Sequence, residues 1–92
     1  MTVKEFWAFV QENPIIGIAD TNHSLMNVKV CKGNNGYSLV EDDSSLGEQT
    51  FYVIASEPTR QELLDWLDLP GTMTQYPGKV LERVRRILNE EV

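Results

Sequence analysis

The residues whose side chains could carry catalysis are few and far apart in the sequence. There is one histidine, His23, and one cysteine, Cys31. If the chain between them is extended, it spans about 25 Å, which is far beyond the hydrogen-bond distance that a Cys–His pair needs. Asp20 and Ser24 share one turn with His23, whereas catalytic triads gather their residues from separate elements. We therefore predict no catalytic residue and no enzymatic activity.

Metal-binding and cofactor-binding patterns are also missing from the sequence. One cysteine and one histidine fall short of the four nitrogen or sulfur ligands that zinc usually takes. Residues 20–24 and 41–48 form two polar turns, but neither has the ligand spacing of an EF-hand calcium loop. An alternative is a weak site for a hard cation in the second turn, formed by Glu41, Asp42, Asp43 and Glu48. A solvated acidic loop is the favoured interpretation, and we predict no metal and no cofactor.

The charge balance narrows the classes of partner. The 92 residues include 8 Lys and Arg against 14 Asp and Glu, which gives a net charge of -6. Proteins that bind DNA or RNA directly gain affinity by neutralising phosphates, for which an acidic chain has the wrong sign. The sequence lacks an apolar run near the ~18 residues that cross a bilayer. We expect one cytosolic domain, residues 1–92, with no direct nucleic-acid partner and no membrane partner.

The first predicted element is a helix with a narrow apolar stripe. It begins at the capping box Thr2-Val3-Lys4-Glu5, and it ends at Asn13 because the residue before Pro14 is pushed out of the helical region. Its stripe consists of Val3, Phe6, Trp7 and Val10.

Two more helices are predicted in the last third of the chain. The capping box Thr59-Arg60-Gln61-Glu62 opens the first of them, and Pro70-Gly71 stops it. A loop over residues 71–76 then leads to Pro77, which suits a helix start. Apolar residues recur at helical spacing from Val80 to Leu88, so a final helix is predicted there.

Four strands are predicted between the first helix and the second. They are rich in β-branched residues and cover Ile15–Ala19, Met26–Val30, Tyr37–Val40 and Phe51–Ala55. The fourth is apolar on both sides, which indicates a central strand. Between the second and third strands, the glycines and asparagines of Lys32–Gly36 predict a tight turn with positive φ angles.

This order of elements predicts an α+β fold. The order α-β-β-β-β-α-α favours an antiparallel four-stranded sheet with packed helices, because parallel strands would need helices between them. We expect the helices on one face of the sheet. The alternative is that the first helix covers one face and the last two cover the other. An uncovered face would leave an apolar surface for a partner or for self-association.

Two smaller features bear on surface chemistry. The last helix holds Lys79, Arg83, Arg85 and Arg86, half of all the positive charge. Glu82 lies four residues before Arg86, at a favourable spacing for an ion pair on a solvated face. Cys31 ends a strand, and free cysteines are among the most buried residue types, so burial is favoured over reactivity.

By elimination, the sequence favours a small acidic, non-enzymatic protein-interaction or regulatory module. Desolvated aromatic side chains dominate binding energy at interfaces, which makes Trp66 and Tyr52 the predicted anchors. Acidic side chains would steer and select the partner, and the predicted ones are Glu41, Asp42, Asp43 and Glu48. The partner would be another protein or a second copy of the chain.

Two alternative functions stay open. The first is a phage-type inhibitor that imitates nucleic acid and blocks a DNA-binding or RNA-binding protein. Its charges would have to cluster locally, because a net charge of -6 is sparse beside duplex DNA, which has one charge per ~1.7 Å. The second is a small accessory subunit of an enzyme.

Overall fold

The computed structural model describes residues 1–20, 27–43 and 47–91. Its elements are α1 (Val3–Glu12), β1 (Ile15–Asp20), β2 (Asn27–Gly33), β3 (Gly36–Asp43), β4 (Thr50–Glu57), α2 (Arg60–Leu67), α3 (Pro70–Gln75) and α4 (Gly78–Glu90). The predicted order of one helix, four strands and C-terminal helices is confirmed, with α3 as an additional short helix. His23 and Met26 lie outside the described residues, as does part of the predicted acidic loop, residues 44–46.

The four strands form one antiparallel sheet in the order β1-β2-β3-β4, so each strand pairs with its sequence neighbour. This confirms the predicted α+β class. The prediction that the fourth strand is central is wrong, because β4 forms an edge. Its two-sided apolar pattern arises because helices pack against both faces there: α2 contacts one, and Phe6 of α1 stacks on Phe51 from the other.

Helices cover the two faces of the sheet unequally. On one face, here called the α4 face, α2 and α4 pack over a core that includes Val30, Leu39, Leu63 and Val84. On the opposite face, here called the α1 face, Phe6 packs with Cys31, Val40 and Phe51. The expectation that all helices share one face is therefore wrong, and the alternative with α1 alone on the opposite face is correct.

The position of α1 depends on its first turn and on one aromatic side chain. The Thr2 hydroxyl accepts a hydrogen bond from the Glu5 amide, and the Glu5 carboxylate accepts one from the Thr2 amide, as the capping box predicts. The Phe6 and Phe51 rings stack with centroids 4.0 Å apart. Trp7, predicted in the buried stripe, is 64% exposed, because a single helix on a flat sheet buries only the side chains that point at the sheet.

The tight turn predicted within Lys32–Gly36 is confirmed, and it is shorter than that segment because the chain reverses over two residues. Gly33 pairs with Gly36, and the turn lies between them. Of the turn residues, only Gly36 has a positive φ, +131°, so the expected positive φ at the asparagines is wrong. A Cβ at Gly36 would lie 2.3 Å from the carbonyl oxygen of Glu57, so close packing adds to the requirement for glycine.

The segment predicted as a loop after α2 is the helix α3. Pro70 occupies the first turn of α3 rather than only ending α2. Proline suits this position because an amide N–H in the first turn of a helix would have no partner within the helix, so its absence costs little. The φ angle of proline is also already fixed near the helical value. The proline that was predicted to end α2 therefore begins α3. Tyr76 follows α3 directly.

Candidate functional site

The six predicted contact residues do not lie on one surface. Trp66 lies on α2, and Tyr52 lies on β4. Side chains alternate along β3, so Glu41 and Asp43 lie on the α4 face while Asp42 lies on the α1 face. Glu48 is exposed in the link between β3 and β4. The predicted acidic group is therefore divided between the two sides of the sheet.

Asp42 has structural partners. Its carboxylate lies 3.7 Å from the Lys29 ammonium and accepts a hydrogen bond of 3.0 Å from the Gln49 amide. The Lys29 ammonium also lies 5.9 Å from the Phe6 ring centroid and 5.7 Å from that of Phe51. Asp42 thus holds a cation over the α1 face and is poorly placed to meet a partner.

Glu41 and Tyr52 lie next to each other on the α4 face. They are directly paired across β3 and β4, which brings their Cβ atoms to about 5 Å. Tyr52 is 49% exposed at the edge of the sheet, and Glu41 is half-buried. One accessible ring and one carboxylate therefore lie side by side. Tyr52 and Glu41 were each predicted as a contact residue, for different reasons.

Tyr76 joins this pair to Trp66. The Tyr76 and Trp66 rings lie 5.8 Å apart between centroids, with their planes tilted by 47°. Burial raises the pKa of the Tyr76 phenol above its ordinary value, and the nearby charge of Glu41 raises it further. Glu41, Tyr52, Trp66 and Tyr76 together form what we call the aromatic–acidic patch. Tyr76 was not among the predicted contact residues; its signal in the sequence was an aromatic side chain just before Pro77, at the junction of two helices.

The charge of Glu41 is not neutralised within the described residues. Burial raises the pKa of the Glu41 carboxyl above its ordinary value, and the nearby Asp43 raises it further. None of the ion pairs between described residues includes Glu41. A desolvated carboxylate beside a second one favours the approach of a cation, because a cation relieves both effects.

Cys31 is fully buried, as predicted. Burial raises the pKa of its thiol to about 11, and the Lys29 charge opposes this only in part. The thiolate is the reactive form of cysteine, so a thiol in this state is a poor nucleophile. Its place among Phe6, Val40 and Phe51 makes it part of the packing of the α1 face.

Within the described part of the chain, no group of three or more His, Cys, Asp or Glu side chains is arranged to hold a metal ion. Over the same residues, no helix has both the length and the apolar character needed to cross a membrane. The cations of α4 are partly paired. Arg85 contacts Asp68, and the Arg86 guanidinium lies 3.9 Å from Glu82, as the i,i+4 spacing predicts.

Comparison with known protein families, with curated proteins and with solved structures gave no match.

Proposed function

We propose that this protein is a non-enzymatic interaction module that binds a positively charged segment of a partner protein on the aromatic–acidic patch. The observation that carries the proposal is the half-buried Glu41 carboxylate, which has no ion pair within the described residues and lies beside the exposed ring of Tyr52. Carboxylates bind Lys and Arg through charge-assisted hydrogen bonds, and aromatic rings bind them through cation–π contacts. The patch offers both groups within reach of one side chain.

The remaining members of the patch would supply affinity. Trp66 and Tyr76 are partly buried and held by their ring contact, so a partner meets them with little loss of side-chain freedom. The net charge of -6 would attract a basic segment from a distance. The proposal places the protein in the cytosol, where the single buried thiol of Cys31 needs no disulfide partner.

The proposal is tested with an acetylated, amidated Gly-Arg-Gly peptide as the probe. Its matched control is the same peptide with citrulline in place of arginine, which keeps the shape and removes the charge. Amide chemical shifts of the full chain are followed during titration. We expect shifts centred on Glu41, Tyr52 and Tyr76 with the arginine peptide and far smaller shifts with citrulline. Equal shifts with both peptides, or shifts elsewhere on the sheet, would show that the patch is not a cation site.

Two protein variants separate a specific site from a general charge effect. Glu41→Gln should lower the affinity for the arginine peptide roughly tenfold, which is the scale of one charge-assisted hydrogen bond. Glu57→Gln removes the same charge from the same sheet outside the patch and should leave binding nearly unchanged. If both variants weaken binding equally and Tyr52→Ala has no effect, the charge density alone binds. That result would favour the inhibitor that imitates nucleic acid.

Repeating the titration with the arginine peptide at lower pH gives a second test of the role of Glu41. A carboxyl with a raised pKa takes up its proton at a higher pH than an ordinary glutamate, whose value is 4.5. The affinity for the arginine peptide should therefore be full at neutral pH and fall as the pH drops through the raised pKa. The Glu41→Gln variant should lack this step.

A further inference from the structure

The two edges of the sheet differ in their protection against pairing with another strand. At the β4 edge, the Met1 ammonium donates to the Phe51 carbonyl over 2.5 Å, and the Phe51 amide donates to the Met1 carbonyl over 2.8 Å. Both edge strands also have a register irregularity, next to Val53 in β4 and between Ile15 and Gly17 in β1, so this feature does not distinguish the two edges. Backbone cover blocks edge-to-edge pairing, and it is the Met1 backbone that protects the β4 edge.

Among the described residues, no backbone segment covers the middle of the β1 edge. Residues 15–19 include neither a charged side chain nor a proline, and Ile18 is 51% exposed. The Lys32 amide donates to the Pro14 carbonyl, which fixes the alternation of hydrogen bonds along β2. Lys29, opposite Ile18, therefore directs its backbone groups to β3, and the N–H and C=O of Ile18 point outward. An open apolar edge of this kind is a template for a further strand.

Helix α4 lies above this edge in a fixed alignment. The Arg83 guanidinium donates to the carbonyl of Asp20 at one end of β1. Ile87 lies over Gly17, where a Cβ would come within 2.7 Å of the isoleucine side chain. Near the other end of β1, a cavity of about 290 Å³ is lined by Ile16, Ile87, Glu90 and Glu91. Arg83 is thus level with Asp20, and Glu90 is level with Ile16.

We propose that two copies of this chain pair through their β1 edges, antiparallel, about a two-fold axis at Ile18. In this register Ile18 pairs with Ile18 of the second copy, and residue 20 lies opposite residue 16, beside the irregularity between Ile15 and Gly17. Arg83 of each copy therefore faces Glu90 of the second copy, and the symmetry repeats the contact. The Ile87 side chains, half-buried in the single chain, lie between the two charged pairs.

Charge complementarity selects a second copy as the occupant of this edge. Neither Arg83 nor Glu90 forms an ion pair with any other described residue. Because α4 packs over β1 and β2, the α4 helices of two joined copies would lie on the same face of the joined sheet. An unrelated strand would form hydrogen bonds with the backbone of Ile18 but would leave Arg83 and Glu90 without an ion-pair partner.

Sedimentation equilibrium of the full chain over a range of concentrations tests the proposal. The unmodified protein should dimerise, and Ile18→Lys should shift it to monomers because two like charges would lie directly opposite each other at the two-fold axis. The matched control is Val53→Lys, which alters a side chain of similar exposure, 46%, on the other edge strand. This control should dimerise like the unmodified protein. Thermal unfolding followed by circular dichroism checks that both variants are folded.

A charge exchange on α4 tests the register itself. Arg83→Glu and Glu90→Arg should each raise the dimer dissociation constant roughly tenfold, because each turns two attractive contacts into repulsive ones. The double variant R83E/E90R should restore the original constant within about twofold. A monomer at every concentration overturns the proposal, as does a dimer that persists in Ile18→Lys. A double variant as weak as the single ones also overturns it, because the two charges then do not meet.

Discussion

Cys31 shows how a single buried group makes the stability of this protein depend on pH. The thiol packs among aromatic and aliphatic side chains of the α1 face, where a thiolate would be poorly solvated. Its pKa is raised from 9.0 to about 11 in the folded chain. A proton is thus held more tightly in the folded state than in the unfolded state, so folding is favoured while the thiol is protonated.

The expected result is a loss of stability in alkali. The contribution of Cys31 is complete below pH 9.0 and is lost as the pH rises to about 11. The loss should be on the order of 2 kcal/mol. Urea unfolding across this range, compared with Cys31→Ala, isolates the effect because the tyrosines and lysines are common to both proteins. The two curves of free energy against pH should converge as the pH rises, and parallel curves would contradict the assignment.

At the scale of elements, α1 is weakly held on its face of the sheet. Phe6 is its only fully buried side chain, and the opposite face of the sheet has two helices against its one. The helix runs from Phe51, at the start of β4, to the end of β2, where the Glu12 carbonyl and the Asn13 side chain lie against Gly33. It therefore crosses the α1 face diagonally and leaves Ile18 and Val53 exposed on either edge strand.

Replacement of the anchoring ring should release this helix before the sheet. Phe6→Ala should cost about 3 kcal/mol of unfolding free energy, the usual cost of a buried phenylalanine. Hydrogen exchange should accelerate most at the amides of α1 and least in β2 and β3. Trp7→Ala is the matched control, since Trp7 is 64% exposed, and it should change stability by less than about 0.5 kcal/mol. Similar losses of unfolding free energy in the two variants would contradict this assignment, because Trp7 would then contribute as much to packing as Phe6.

The sequence was sufficient for elements that depend on neighbouring residues. The capping residues Thr2 and Thr59, the end of α1 at Pro14 and the reversal before Gly36 are all set by local backbone chemistry. The position of β4 was not predictable in this way. Its apolar pattern reflects helix contacts on both faces of the strand, whereas its place at the edge follows from the order in which strands pair.

The candidate site was predictable by residue type and not by arrangement. Tyr52, Trp66 and Glu41 were predicted from chemistry alone; in the structure Glu41 pairs with Tyr52, and Trp66 contacts Tyr76, whose phenol senses the charge of Glu41. Asp42 was grouped with Glu41 because the two are adjacent in sequence, but in a strand adjacent side chains point to opposite faces. Tyr76 joins the patch only because α3 is a helix, and the composition of that segment indicated a loop.

At the scale of the whole molecule, the two proposed surfaces lie on opposite edges of one sheet. The aromatic–acidic patch is near β4, and the pairing surface is β1. A dimer joined through β1 would be a continuous sheet of two four-stranded halves with a patch near each outer end. Seven spacings of ~4.8 Å separate the outer strands, which amounts to about 34 Å.

This arrangement, which rests on both proposals, should favour divalent ligands of sufficient reach. Two arginine peptides joined by a Gly/Ser linker of about 40 residues have a typical span near 34 Å, whereas a linker of about 10 residues falls short. Calorimetric titration should show tighter binding for the long linker than for the short one, by ten-fold or more. The Ile18→Lys variant should bind both ligands equally. Equal binding by the unmodified protein would show that the patches are not joined at this distance.

The contact between Arg83 and Asp20 also has a consequence for synthesis of the chain. These residues are 63 positions apart, whereas every strand of the sheet pairs with the strand next to it in sequence. The β1–β2 hairpin is complete at Gly33, 50 residues before Arg83, so at ribosomal rates of ~5–20 residues per second it can form roughly 2.5 to 10 s before Arg83 is made. During that interval Gly17 and its neighbours pair with β2 on one side but have no helix above them and no strand on their outer side. The nascent chain therefore presents β1 bare on its outer edge and on the face that α4 later covers, a state that invites chaperone binding or pairing between chains on the same messenger RNA.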